Sequence, residues 1–124
     1  MRPLEVLAYL LVREGNDRGR SIALGRERVS VGRGQKNGLR LADETVSRRH
    51  ALVEFEGGGH VLTDLNSTNG SFVNGRRVER LRLKPGDRIV LGRTRLVYQA
   101  GSRVETDPEA TPPGEPGAGR QGWR

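Results

Sequence analysis

Apolar and polar residues alternate most clearly over Thr94-Arg95-Leu96-Val97-Tyr98-Gln99, and in part over Ala51-Leu52-Val53-Glu54-Phe55. A period of two is that of a strand with one buried face. Short runs of this kind predict strands at Leu7–Arg13, Arg20–Leu24, Arg28–Val31, Leu39–Leu41, His50–Glu56, His60–Asp64, Phe72–Val73, Arg77–Val78, Arg88–Leu91 and Thr94–Gln99. No window keeps the i, i+3, i+4, i+7 stripe of an amphipathic helix. Turn signals separate the runs. Gly57-Gly58-Gly59 joins two of the stronger strands as a hairpin, and Asn74-Gly75 suits a type I′ turn because both residues tolerate positive φ. Pro85-Gly86-Asp87 marks another turn, with Pro fixing φ. Many short strands with regular turns predict an all-β chain, an antiparallel sandwich or barrel.

Composition changes the picture at one end. Residues 101–124 hold four of the six prolines and few residues able to build a core. The expectation is a domain over 1–100 and a flexible Pro/Gly-rich, disordered tail over 101–124. Trp123, the only tryptophan, falls in this tail as an exposed aromatic or a weak docking anchor. Charge separates the same two parts. The tail is net −1 and residues 1–100 are net +8, nearly all of it from arginine. A basic domain favours anionic partners. There is no cysteine, hence no thiol chemistry, disulfide or Cys-based zinc site. No run approaches the ~18 apolar residues of a membrane helix. Glu5 interrupts the N-terminal apolar run and no small-residue cleavage site follows, so a cytoplasmic location is expected.

Candidate chemistry gathers on three loops. Gly32-Arg33 ends one strand-like run, Ser47-Arg48-Arg49-His50 precedes another, and Asp64-Leu65-Asn66-Ser67-Thr68-Asn69-Gly70 follows a third. Guanidinium, hydroxyl and amide donors without an adjacent nucleophile–base pair suit holding a phosphate rather than breaking it. With Asn74-Gly75, Pro85-Gly86-Asp87 and Leu91-Gly92 in order behind them, these motifs resemble the forkhead-associated (FHA) domain over about residues 7–100. The resemblance implies an eleven-stranded β-sandwich whose loops at one end recognise phosphothreonine in a peptide. It implies that Arg33, Ser47, Arg48 and Thr68 bind the phosphate and that Asn69 holds the peptide main chain. Gly32, His50 and Gly70 would support the loops, and Thr45, Arg49, Asn66 and Ser67 would tune specificity. It implies a stand-alone signalling adaptor whose ligand a Ser/Thr protein kinase writes, with no cofactor and no metal.

Three other readings compete. Ser47, His50 and Asp64 supply the letters of a hydrolase triad, but no Gly-x-Ser-x-Gly elbow accompanies them. His50 and His60 are the only histidines, too few for zinc without cysteine. Nucleic acid is the rival ligand for a basic domain. Against it, aromatic stacking platforms are sparse: only Tyr9, Phe55, Phe72 and Tyr98 precede the tail. In the tail, Thr106 and Thr111 are accessible candidates for phosphorylation and for self-binding to the phosphate site.

Overall fold

The computed structural model describes residues 5–101. Eleven strands follow one another: β1 (Ala8–Glu14), β2 (Ser21–Leu24), β3 (Val29–Gly32), β4 (Leu39–Arg40), β5 (Ala51–Glu56), β6 (Gly59–Asp64), β7 (Ser71–Val73), β8 (Arg76–Val78), β9 (Arg80–Arg82), β10 (Arg88–Leu91) and β11 (Thr94–Ala100). Six of them form a sheet in the order β2-β1-β11-β10-β7-β8, and five form a second in the order β4-β3-β5-β6-β9. The alternation seen in sequence is what joins them. Ala8, Leu10 and Val12 of β1 and Leu96 and Tyr98 of β11 turn inward from the first sheet. Val31, Ala51, Val53 and Leu62 turn inward from the second and complete one buried cluster. Each buried aliphatic side chain contributes roughly 1.5–3 kcal/mol by removal from water.

The ten expected strands are present, with ends displaced by at most about one residue. β9 was not anticipated. Its only apolar residue is the half-buried Leu81 between two exposed arginines, too short for an alternation to show. It pairs with β6 at the edge of its sheet (Val61 opposite Arg82, Thr63 opposite Arg80), where charged side chains discourage further pairing. The sandwich is also not wholly antiparallel. β3 and β4 run parallel, Val31 opposite Leu39 and Gly32 opposite Arg40. Leu39 and Leu41 are both buried, and the Leu41 N–H donates to the Gly32 carbonyl at 2.8 Å, so the returning chain is drawn alongside β3.

The turns follow their residues. Gly57 (φ 64°) and Gly58 (φ 82°) close the β5–β6 hairpin, with Glu56 opposite Gly59. Asn74 (φ 52°) and Gly75 (φ 86°) close β7–β8 in the same left-handed pair of conformations. The Asp87 N–H returns to the Lys84 carbonyl at 2.9 Å across Pro85 and Gly86. The loops after β3, β4 and β6 meet at one end of the sandwich, joined by the hydrogen bonds described below. No helix among the described residues is long and apolar enough to cross a membrane. The expectations for Thr106, Thr111, Trp123 and the tail concern residues 102–124, outside the described residues.

Candidate functional site

The end of β3 lies directly against the β4–β5 loop. A β-carbon at Gly32 would overlap the Arg48 carbonyl oxygen and stand 2.8 Å from its carbonyl carbon, so only glycine permits the approach. Two backbone bonds fasten the contact: Arg33 N–H to the Ser47 carbonyl at 2.9 Å and Gly34 N–H to the Arg48 carbonyl at 3.0 Å. Arg33 Nε donates to the Val46 carbonyl at 3.0 Å. That bond fixes the guanidinium plane and leaves both terminal nitrogens without a partner among the described residues. Asn37 adds a further brace, its amide nitrogen donating to the Gly34 and Arg48 carbonyls at 2.8 and 2.7 Å.

His50 ties the β4–β5 loop to the β6–β7 loop. Its side chain is fully buried. The Ser47 N–H donates to Nδ1 at 3.0 Å, which requires an unprotonated Nδ1 and places the ring proton on Nε2. Nε2 then donates to the Gly70 carbonyl at 2.8 Å. The Thr68 N–H donates to Ser47 Oγ at 3.0 Å, which leaves the hydroxyl proton of Ser47 free to donate. Asn69 Nδ2 donates to the Thr45 carbonyl at 2.8 Å, and its Oδ1 forms no hydrogen bond among the described residues. Ser47, His50 and Asp64 are therefore not assembled as a triad. The ring meets the Ser47 backbone rather than its hydroxyl, and Asp64 Oδ1 stands 4.0 Å from Nε2.

Two carboxylates hold the loop turns from beneath. Asp64 accepts from the Ser67 hydroxyl (2.6 Å), the Ser71 hydroxyl (2.6 Å) and the Ser67 N–H (3.0 Å). Asp43 accepts from the Thr45 hydroxyl (2.6 Å), the Thr45 N–H (2.8 Å), the Thr94 hydroxyl (2.7 Å) and the Arg93 N–H (3.1 Å). Burial pushes the Asp64 carboxyl up. The Ser67 and Ser71 hydroxyls and the Ser67 N–H outweigh it, so the group lies below the ordinary carboxylate value. For Asp43 burial likewise pushes up and is outweighed by the Thr45 and Thr94 hydroxyls and the Thr45 and Arg93 N–H groups. With lowered folded values, the unfolded chain binds more protons as acid is added. The stability these groups contribute is present above the unfolded value of ~3.9 and is lost as pH falls through the folded values. Thermal midpoints across an acid series are expected to be level at mildly acidic pH and to fall below about pH 4. In Asp64→Asn the fall should be shallower and start from a lower plateau. An equally steep fall in that variant would remove Asp64 as a cause.

The structure thus brings Arg33, Ser47, Arg48, Thr68 and Asn69 to one surface, with Gly32, His50 and Gly70 beneath. Of the residues expected to tune specificity, Arg49 and Asn66 are exposed, and Asn66 adopts a left-handed turn conformation with φ 59°. Thr45 and Ser67 are tied into the loops themselves. The Thr45 hydroxyl is committed to Asp43 and to the Arg93 N–H, and Ser67 is buried with its hydroxyl held between Asp64 and the Gly70 N–H. Both hydroxyls brace the loops. Sequence reasoning missed Asn37 and Asp43. Asp43-Glu44-Thr45 carries a local signal for the latter, an Asp able to accept the N–H two residues on. Arg77 was also missed. Its guanidinium on β8 lies over Gly70 (φ 86°), 2.9 Å from where a β-carbon would stand.

The fold is a two-sheet β-sandwich that carries guanidinium, hydroxyl and amide donors on three loops at one end. A family model for the FHA domain matches residues 29–92, just over half of the chain, and the chain belongs to that family. It is 38% identical over 98 residues to the glycogen accumulation regulator GarA of Mycolicibacterium smegmatis, covering 79% of this chain and 62% of that one. It is 36% identical over 96 residues to the oxoglutarate dehydrogenase inhibitor of Corynebacterium jeikeium, covering 77% of this chain and 67% of that one. The chain therefore spans about two thirds or less of the length of these relatives. Among solved structures, one from work on phosphothreonine-dependent FHA domain interactions superposes with a TM-score of 0.72 at 36% identity, covering 78% of this chain and 99% of that one. The FhaA FHA domain, solved with the intracellular domain of Rv3910, superposes with a TM-score of 0.69 at 38% identity, covering 74% and 99%.

Proposed function

We propose that this chain binds phosphothreonine in an extended peptide through its three-loop end and catalyses no reaction. The observation that carries the reading is the placement of Arg33 against Ser47. The Arg33 backbone and Nε are spent on the Ser47 and Val46 carbonyls, its terminal nitrogens have no partner among the described residues, and the Ser47 oxygen accepts from the Thr68 N–H, which leaves its hydroxyl proton to donate. A phosphothreonine brings ~−1.5 to −2 charges and three acceptor oxygens. Arg33 takes two oxygens with its planar fork, the Ser47 hydroxyl a third, and Arg48 and Thr68 close the rim. Asn69 holds the main chain beside the phosphorylated residue with its remaining amide donor and acceptor. Arg49 and Asn66 face the flanking peptide side chains.

The relatives named as a regulator and an inhibitor fit a non-catalytic adaptor whose ligands are written by a Ser/Thr protein kinase in the cytoplasm. Nucleic acid is the weaker reading. Among the described residues no aromatic is exposed: Tyr98 is buried against His60, and Tyr9, Phe55 and Phe72 are half-buried.

The test is a degenerate phosphothreonine peptide library, run beside its phosphoserine and unphosphorylated counterparts and a single-stranded oligonucleotide. Phosphothreonine is expected to bind best, with phosphoserine about fourfold weaker if one methyl enters a small pocket near Thr68-Asn69, since a buried methyl group contributes ~0.8 kcal/mol. Equal binding of the two phosphopeptides would remove the methyl pocket. Displacement of bound phosphopeptide by the oligonucleotide at physiological salt would favour the rival ligand.

A further inference from the structure

A cleft of about 430 Å3 opens beside the candidate phosphate seat, lined by Ser30, Gln35, Lys36, Asn37, Arg48 and Arg49 together with Gly34. It shares the backbone contact that seats Arg33, since Gly34 N–H donates to the carbonyl of Arg48, another of its lining residues, at 3.0 Å. Its wall is the β3–β4 loop, bonded to Arg48 through Asn37, whereas Asn69 of the β6–β7 loop is bonded to Thr45, earlier in the β4–β5 loop. The cleft is braced. Asn37 gives both amide protons to the Gly34 and Arg48 carbonyls, although its enclosed Oδ1 has no hydrogen-bond partner. Its charge is of one sign: no acidic residue lines it. The side chains of Lys36, Arg48 and Arg49 are exposed and form no ion pair among the described residues. Three like charges bordering one recess, with no acid among its lining residues, favour the entry of an anion. Their aliphatic stems also offer walls for the chain that carries it.

We infer that this cleft is a second anion subsite. It takes an acidic side chain, carboxylate or phosphate, of the same peptide, on the side of the phosphothreonine opposite the residue whose main chain Asn69 holds. The inference rests on the phosphothreonine reading and adds to it a requirement on ligand sequence. The subsite selects, among phosphothreonine peptides, those with a negative charge on that one side.

The test scans a single Asp, and in a second set a single phosphoserine, through each flanking position of a neutral phosphothreonine peptide. Affinities are taken relative to the neutral parent, for wild type and for Lys36→Glu. Lys36 lies outside the phosphothreonine seat, so its reversal acts on the parent peptide only through long-range charge, and each gain is read against the parent on the same protein. Asp at positions on one side only is expected to raise affinity about two- to fivefold, the range of an exposed ion pair, and phosphoserine by more. The gain should vanish in Lys36→Glu and shrink at high salt. Which set shows it distinguishes a carboxylate from a second phosphate. A flat scan, equal gains on both sides, or a gain that survives Lys36→Glu would overturn the subsite. Each would leave the parent peptide's dependence on Arg33 standing. Failure of the parent peptide to bind wild type would instead overturn the phosphothreonine reading itself.

Discussion

Replacing Arg33 by alanine is expected to weaken binding of a phosphothreonine peptide at least about tenfold, because a hydrogen bond to a charged group contributes roughly 1.5–3 kcal/mol and ~1.4 kcal/mol is a factor of ten. The fold should hardly notice. The one side-chain bond lost is from Nε to the Val46 carbonyl, on a half-buried residue, while both backbone bonds of the β3–β4 loop to residues 47 and 48 remain. Arg33→Lys separates charge from geometry. A lysine keeps the charge but cannot hold the Val46 carbonyl and two phosphate oxygens together, so its affinity should fall between the other two. Calorimetry on the three proteins, with thermal unfolding alongside, checks both parts. Equal affinities would remove Arg33 from the site.

The largest effect on stability is expected at His50. Truncation to alanine empties a fully buried position, withdraws the acceptor of the Ser47 N–H and the donor to the Gly70 carbonyl, and so unfastens two loops at once. Each buried polar group left unpaired costs ~1–3 kcal/mol and the cavity adds to it, so a loss of about 3–5 kcal/mol is expected. For a domain of this size that lowers the midpoint by roughly 12 °C or more. Phosphopeptide affinity should fall as well, although the ring touches no ligand, because Ser47 and the Gly70 turn lose their common anchor. A loss below ~1 kcal/mol would show that the loops are held by the Asp64 and Asp43 networks without the imidazole.

What the sequence disclosed depended on how local each cause was. Alternation over Thr94–Gln99 placed β11, and Asn74-Gly75 placed its hairpin, because period and φ preference are properties of adjacent residues. β9 escaped because Arg80-Leu81-Arg82 owes its pairing to β6 and not to a pattern of its own. The parallel β3–β4 pair escaped for the same reason: it depends on where Leu39 and Leu41 find the core. In the site, Arg33, Ser47 and Thr68 could be singled out by residue type and order. Whether a hydroxyl keeps its proton free to donate could not. Ser47 and Ser67 are the same residue on neighbouring loops, yet Ser67 is turned inward by Asp64 and the Gly70 N–H. Asn37 likewise acts through carbonyls that only the folded loop brings within reach.

The central claim is that the three-loop end binds phosphothreonine. Its most direct test is a calorimetric titration of the wild-type protein with one peptide in two forms, phosphothreonine and threonine, followed by backbone amide NMR. The account predicts a saturable isotherm for the phosphorylated form and binding at least about a hundredfold weaker for the other, since two or more charge-assisted bonds of ~1.5–3 kcal/mol are lost with the phosphate. The amides of Arg33, Ser47, Thr68 and Asn69 should shift with the phosphorylated form alone. Equal affinity for the two forms, or shifts confined to residues away from these loops, would contradict it.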